Sequence, residues 1–433
     1  MQAIYLVSIK IYGLFLWLLS PFHAKARKWV GGRRNLLHRI AREVDPDRGC
    51  IWFHFASLGE FEQGRPVLEA LRARRTDKPF LVTFYSPSGY EIRKNTPLAD
   101  HVYYLPADTP RNARRFVELV NPEFAVFTKY EYWPYYFQAL HRRNVPLYLI
   151  SAIFRPGQVF FRWYGGLFRK ALRCVTFFFT QNEESLRLLA PLGHTNAVLA
   201  GDTRFDRVVT LPRMRKELPG IADFVAGHPV LVAGSTWPAD EVLLAGLRGR
   251  YPDWKLILAP HEIHEEHILS IEKLFPDSQR YSHMNGGTDR LSVTGNQVTG
   301  RATPAVDRRL STTLIIDNIG MLSTLYGYGH VAYIGGGFGK GIHNTLEAAT
   351  YGIPVVFGPN YRKFQEAKDL IVEGGGFTVA DADGLAAVFN ELQTEGQRLV
   401  AGRKSGAYVA RKAGATAIIM AKIAPVREKG SGN

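Results

Sequence analysis

Cysteine is scarce in this chain: Cys50 and Cys174 are the only two among 433 residues. Two thiols so far apart build neither a disulfide framework nor a cysteine-based zinc site, which points to a reducing compartment. Acidic residues are absent from residues 1–42, where Lys10, Lys25, Arg27, Lys28, Arg33, Arg34, Arg39 and Arg42 stand uncompensated. A long apolar run is also lacking. Ala3 to Leu19 is short for a spanning helix and is interrupted by Lys10. No Gly-Lys-Ser/Thr follows a glycine-rich loop, which argues against a P-loop NTPase. The run His261, Glu262, His264, Glu265, His267 lacks HExxH spacing, so no metal is expected there.

What is present is 46% hydrophobic and 21% charged, ordinary for a globular protein of two or three domains, with net charge +15. Such an excess suits nucleic acid, an anionic membrane surface or anionic substrates. At the N-terminus, cations follow the apolar stretch and Pro21 ends it, the reverse of a cleaved signal peptide. A transmembrane anchor and a buried first helix are alternatives. The reading preferred is a helix inserted in, or shallowly through, the cytoplasmic leaflet, its basic run on anionic headgroups.

From Cys50 onward, short apolar strands alternate with amphipathic stretches. Expected strands are Ile51–Ala56, Phe80–Phe84, Val102–Leu105, Phe124–Thr128, Leu147–Ser151, Thr176–Thr180 and Ala197–Ala200, then Val230–Ala233, Lys255–Ala259, Thr313–Ile316, Val331–Ile334 and Pro354–Phe357. Helices are expected between them, as at Phe61–Arg74 and Asn112–Val120. This pattern predicts an α/β protein of two Rossmann-like domains facing a cleft. The expected divisions are an anchoring segment 1–42, a first domain 43–210, a linker 211–228, a second domain 229–424 and a disordered tail 425–433. Ser282–Arg309, polar and rich in Gly, Thr and Asn, is expected to be an insertion loop.

Ligands in such sheets bind beyond the carboxyl ends of strands. After the first expected strand come Ser57, Leu58, Gly59 and Glu60; Glu60 is either a general base or a helix cap. Lys129 and Glu131 follow another strand and share a side by period two, as site residues or as a surface ion pair. Arg204 could meet a phosphate or carboxylate bidentately, or serve a domain–domain salt bridge. Ser235 and Thr236 offer hydroxyls and amides to phosphate, and Pro260–His261 follows the next strand. Val331–Ile334 feeds a loop containing Gly335, Gly336, Gly337, Gly339 and Gly341, with a helix expected from about Asn344 and Glu347 placed for a ribose diol. The alternative is a turn that packs helix on strand. Arg155 lies in a segment interleaving aromatics with arginine, suited to RNA bases or to a lipid interface.

Together the motifs ASLGEFEQGRP (56–66), SPSGYE (86–91), KYEYWP (129–134), SAIFRPGQ (151–158), GDTRFDRV (201–208) and HNTLEAA (343–349) make the chain resemble the Kdo (3-deoxy-D-manno-octulosonic acid) transferases of lipopolysaccharide synthesis. The resemblance implies an inverting glycosyltransferase of the GT-B architecture. It implies CMP-Kdo as donor, lipid IVA (a lipid A precursor) as acceptor and no metal cofactor. The family's general base lands on Glu60, and its stabilisers on Glu131 and Arg204. Its CMP contacts land on Pro260 and His261, on Ile319, Gly320 and Met321, and on Asn344, Thr345, Leu346 and Glu347. Many members carry Lys where this chain has Arg204, and Pro-Arg where it has Pro260–His261. The location implied is the cytoplasmic face of the inner membrane, with anionic phospholipid as a partner and no nucleic acid. The alternatives are another GT-B transferase, a nucleotide-sugar epimerase, or a non-catalytic basic scaffold for membrane or RNA.

Overall fold

The structure is a computed structural model and describes residues 1–284 and 311–424. The chain forms two compact units, one of Met1–Arg207 with the chain from Lys412, the other of Val208–Arg411. In the first unit, β1 (Cys50–Phe55), β2 (Phe80–Phe84), β3 (His101–Tyr104), β4 (Pro122–Thr128), β5 (Leu147–Ala152), β6 (Phe177–Thr180) and β7 (Ala197–Leu199) form a parallel sheet ordered β3-β2-β1-β4-β5-β6-β7.

A parallel sheet is covered on both faces, so its strands read as continuous apolar runs. Every residue of β1 is buried. Its alternate side chains enter different cores: Trp52 packs with Leu81, Ala125 and Phe127, whereas Ile51, Phe53 and Phe55 pack with Val82, Val126 and Ile150. The second core also takes Ile419, Met420 and Ile423. They lie on the helix Ala415–Ile423, whose first turn is held by Asp206: its carboxylate accepts the Gly414 amide and, at 2.7 and 2.8 Å, the amide and hydroxyl of Thr416. The second domain expected at 229–424 is corrected accordingly. Burial of those three side chains, each contributing about 2 kcal/mol, draws the C-terminal helix onto the first unit.

The helix Gln2–Leu19 precedes this sheet and buries none of its residues. Ile4, Val7, Ile11, Leu14, Phe15 and Leu18 are all more than half exposed. The helix is tied down near its start. The Tyr5 hydroxyl donates to Asp108 at 2.7 Å, and the Tyr135 hydroxyl donates to the Gln2 carbonyl at 3.3 Å. Asp108 also accepts the Tyr135 and Tyr136 amides, and burial pushes its carboxyl up to about 6.

The second unit holds β8 (Val230–Thr236), β9 (Lys255–Pro260), β10 (Ser278–Arg280), β11 (Thr313–Ile315), β12 (Val331–Ile334), β13 (Val355–Phe357) and β14 (Gly376–Thr378), parallel and ordered β10-β11-β9-β8-β12-β13-β14. The edge strands β10 and β14 were not expected. Each has three residues, and neither is a run of apolar side chains. The expected linker 211–228 is part of this unit: it contains the helix Ile221–Val225, with Ile221 and Phe224 buried, and Arg215 donates to the Gly327 carbonyl at 2.7 Å. Of the expected insertion Ser282–Arg309, Ser282 to Met284 belong to the helix Tyr281–Met284. Its remainder and the expected tail lie outside the described residues.

Each sheet reverses its strand order beside its first strand, between β1 and β4 and between β8 and β12, and in the second sheet β11 also inserts between β9 and β10. Chains leaving adjacent strands in opposite directions open a crevice at such a point. The segments following these four strands carry Ser57–Glu60, Lys129–Glu131, Ser235–Thr236 and Gly335–Gly337.

Candidate active site

In the first unit, β1 runs into Ser57, which precedes the helix Leu58–Arg74. Glu60 lies in the first turn, where a carboxylate meets the positive end of the helix dipole. Its carboxylate accepts the Ser57 hydroxyl and is partly exposed, while Gly59 is open to solvent. Base and cap are thus compatible roles for Glu60.

One turn on, buried Gln63 donates to Asp202 at 2.8 Å, and its carbonyl accepts the Thr203 hydroxyl. Asp202 in turn accepts the Arg204 amide at 2.9 Å and the Arg204 Nε at 2.8 Å, with Nη2 at 2.7 Å. Burial alone would raise the Asp202 carboxyl, but the Arg204 charge and these hydrogen bonds outweigh it and hold the group below the usual carboxylate range. Arg204 therefore pairs within its own turn, with its position fixed to the helix that carries Glu60. Gln63 and Asp202 escaped the sequence reading although both lie inside the motifs at 56–66 and 201–208. Their signal was a polar residue one helical turn from, or two residues before, a candidate.

Lys129 adopts φ 64° and Ser151 φ 49°, at the ends of β4 and β5. Strained backbone of this kind costs about 1–3 kcal/mol and collects at sites. At Lys129 it breaks the strand period, so the expectation that Lys129 and Glu131 share a side is corrected. Lys129 Nζ lies 5.3 Å from the Tyr130 ring centre, and Arg155 lies 5.6 Å from it. Burial pushes the Tyr130 hydroxyl up; Arg155 opposes the shift, Glu60 adds to it and Arg204 opposes it. The structure thus gathers Glu60, Lys129, Arg155 and Arg204 around one tyrosine.

Glu131 turns inward instead. Its carboxylate lies 3.1 Å from His54 Nε2 and accepts the Trp133 indole at 2.8 Å; His54 Nδ1 reaches Thr83 at 2.9 Å. His54 and Glu131 are both buried. His54 was missed because one polar residue inside the apolar run CIWFHF carries no periodic signal.

In the second unit, Ser235 takes φ 55° at a bulge in β8. Thr236 is buried and donates its hydroxyl to Glu241 at 2.9 Å. The glycine loop packs closely on neighbouring backbone. The Gly336 amide donates to Asp240 at 2.9 Å. A Cβ on Gly335 would lie 2.3 Å from the Ser235 carbonyl oxygen, and one on Gly337 would lie 2.5 Å from the Gly358 Cα. Gly337→Ala should therefore lower unfolding stability by about 2 kcal/mol, because backbone on both sides cannot swing away. A urea midpoint unchanged by this substitution would show that the loop can shift to make room there.

His261 packs against two rings, Trp237 at 4.8 Å and His343 at 4.4 Å, each tilted by 28°. The Trp237 indole donates to His343 Nε2 at 3.2 Å. Burial and the neighbouring His261 hold His343 below the usual imidazole range. Trp237 and His343 were not among the expected site residues. Pro260 ends β9. Ile319 is 86% exposed, Gly320 has φ 101°, and Met321 precedes the short helix Leu322–Leu325.

The helix expected from Asn344 is a single turn, Leu346–Ala349. Asn344 is exposed, and its side chain accepts the Leu346 amide at 3.0 Å. Thr345 is buried, with no partner for its hydroxyl among the described residues. Leu346 is fully buried, and partly exposed Glu347 acts electrostatically on Tyr326 and Tyr351. Among the described residues, no group of three or more His, Cys, Asp or Glu is placed to hold a metal ion.

Residues 32–207 match the family model described as 3-deoxy-D-manno-octulosonic-acid transferase (kdotransferase). The 3-deoxy-D-manno-octulosonic acid transferase of Aquifex aeolicus is 26% identical over 353 residues, covering 80% of this chain and 86% of that protein. The transferase of the same name from Bordetella pertussis is 26% identical over 439 residues, covering 96% and 97%. Among solved structures, UDP-GlcNAc 2-epimerase from Methanocaldococcus jannaschii superposes with TM-score 0.51 at 12% identity, over 84% of this chain and 98% of that one. MurG from Acinetobacter baumannii gives TM-score 0.50 at 11% identity, over 86% and 98%. At those identities the structural likeness is one of fold, the GT-B arrangement of two Rossmann-like domains.

Proposed function

We propose that the chain is a 3-deoxy-D-manno-octulosonic acid transferase of lipopolysaccharide biosynthesis, a reading supported by the family-model match and by relatives 26% identical over most of the chain, and that it moves Kdo from CMP-Kdo to a lipid A precursor, lipid IVA, at the cytoplasmic face of the inner membrane. The observation that carries the site assignment is the first-unit cluster. A partly exposed carboxylate, Glu60, stands at the sheet's switch point with Arg204, Arg155 and Lys129 around the same tyrosine.

In this reading Glu60 takes the proton from an acceptor hydroxyl. The hydroxyl oxygen forms its bond to the anomeric carbon of Kdo as the bond to the CMP phosphate breaks, and CMP leaves with the electron pair. Attack opposite the leaving group inverts that carbon. CMP carries one phosphate, which cations and amides can neutralise, so the reading is metal-independent. Arg204, held through its Nε–Nη2 edge by Asp202, brings a fixed cation to the same site for the substrate anion. Glu131, locked to His54 and Trp133, supports the loop after β4 as a positioning residue. The aromatic cluster of Trp237, His261 and His343 is a further donor-side candidate for the nucleotide. Ser235, Pro260, Ile319–Met321 and Asn344–Glu347 are the other donor-side candidates. Ser57 and Gly59 flank the acceptor side.

The apolar face of the helix Gln2–Leu19 and the cations behind it suit a lipid surface, where the acceptor resides. The test is Kdo transfer by purified full-length protein, with CMP-Kdo generated in situ, lipid IVA as acceptor and EDTA present. Kdo-bearing product is expected, and its mass gives the number of sugars added. Absence of product from folded protein, with turnover of a UDP-sugar instead, would move the assignment to an epimerase. Binding without any turnover would move it to a scaffold.

A further inference from the structure

Two adjoining hollows lie against the basic segment that follows the first helix. The larger, of about 960 Å³, runs from Gly13 and Trp17 of that helix past Arg27 and Trp29. The smaller, of about 480 Å³, is lined by Arg34, Asn35, His38, Arg39, Arg42 and Glu43. Arg34, Asn35 and His38 line both. Glu43 is the lining carboxylate, and its Oε2 accepts the Tyr103 hydroxyl at 2.7 Å.

The unusual group is Arg39. Its Nε and Nη2 are both buried, and neither has an acceptor among the described residues. Its guanidinium lies 5.5 Å from the Tyr103 ring centre. The Trp29 indole N–H, on the larger hollow, is likewise buried without an acceptor. Buried donors are nearly always satisfied, and unsatisfied charged ones cost more than neutral ones. Arg39 lines the smaller hollow, and a guanidinium fork matches two oxygens of a phosphate. Arg34 and Arg42 bring two further cations to the same small space.

We propose that the smaller hollow binds the phosphate of an anionic glycerophospholipid. The glycerol passes Gly13 and Trp17, and the acyl chains follow the exposed apolar face of the helix Gln2–Leu19. Charge complementarity and continuity with that apolar face select a lipid over a soluble anion. The inference rests on the membrane placement proposed above. It adds a site that fixes the depth and rotation of the first unit on the bilayer, separate from acceptor and donor.

The test is flotation of the full-length protein with phosphatidylcholine vesicles, with and without phosphatidylglycerol. Arg39→Lys and Arg34→Lys keep the charge but lose the fork. Each should weaken binding to the phosphatidylglycerol vesicles by about tenfold, with thermal melting unchanged. Arg34 is exposed, so its variant carries the test should Arg39→Lys fold poorly. Lys28→Gln removes a charge outside the hollows and should cost only about two- to fivefold. Lysine variants that bind like wild type, alongside a weakened Lys28→Gln, would replace the site with a diffuse basic field. Inorganic phosphate that raises the melting temperature of wild type but not of Arg39→Lys, and releases the protein from vesicles, would reassign the site to a soluble anion. Equal flotation of wild type with both vesicles overturns the site and leaves the membrane reading standing. No flotation with either overturns both.

Discussion

Glu60→Gln is expected to lower Kdo transfer by about 10²–10⁴-fold while leaving the melting temperature of the protein within a degree or two of wild type. The amide is isosteric and can still accept the Ser57 hydroxyl, so the start of the helix Leu58–Arg74 survives. What it loses is the capacity to take a proton. Exchanging a first-turn carboxylate for a neutral group forfeits about 0.3–1 kcal/mol of dipole interaction, too little to account for a loss of activity on that scale. Activity and stability therefore separate the two roles open to Glu60. A purely capping residue would shift the melt and spare turnover. The obvious substitutes are already engaged. Glu62 is paired with Arg93 and Arg207, at 2.5 and 2.7 Å, and Glu131 with His54 and Trp133. A fully active Glu60→Gln would leave neither as a ready base and would return the mechanism to a base supplied by substrate or water.

The strands were legible because a parallel sheet must be dry on both faces, and runs such as FLVTF and VAYI declare that burial without any pairing information. The edges β10 and β14 did not declare it, since an edge strand of three residues needs few apolar side chains. The path of the C-terminal helix was also illegible. ATAIIMAKI reads as apolar on any sheet, and only the pairing of Asp206 with Gly414 and Thr416 shows which sheet takes it. At the site, the positions were found and their orientations were not. Glu131 was placed by a period of two that stops at Thr128, because Lys129 leaves the extended region. The glycines after β12 looked like an anion loop. Their small size is demanded by Ser235 and Gly358, residues distant in sequence that only the fold brings near.

Arg204→Ala should lower transfer by about 10²-fold and also reverse the sign of one contribution to acid stability. In the wild type the Asp202 carboxyl is depressed below its unfolded value of about 3.9. A depressed carboxylate contributes stability above the unfolded pKa, and that contribution is lost as pH falls through the lower folded pKa. Removing the guanidinium leaves Asp202 buried with only Gln63 and backbone to stabilise its charge, so desolvation dominates and its pKa rises above the unfolded value. The folded state then binds the proton more tightly than the unfolded one, and this group's contribution falls as pH rises through the carboxylate range. Breaking a buried pair costs about 3–5 kcal/mol. Arg204 is one-third exposed, so water can partly replace it, and about 2 kcal/mol is the expected loss at neutral pH. Urea midpoints measured between acid and neutral pH would show the two slopes, and Arg204→Lys should restore the wild-type sign because the charge returns. If Arg204→Ala loses stability in this way yet keeps full transfer, Arg204 only neutralises Asp202. If Arg204→Lys recovers stability but not rate, the guanidinium contributes to transfer beyond its charge, and arginine rather than lysine is a working part of this site.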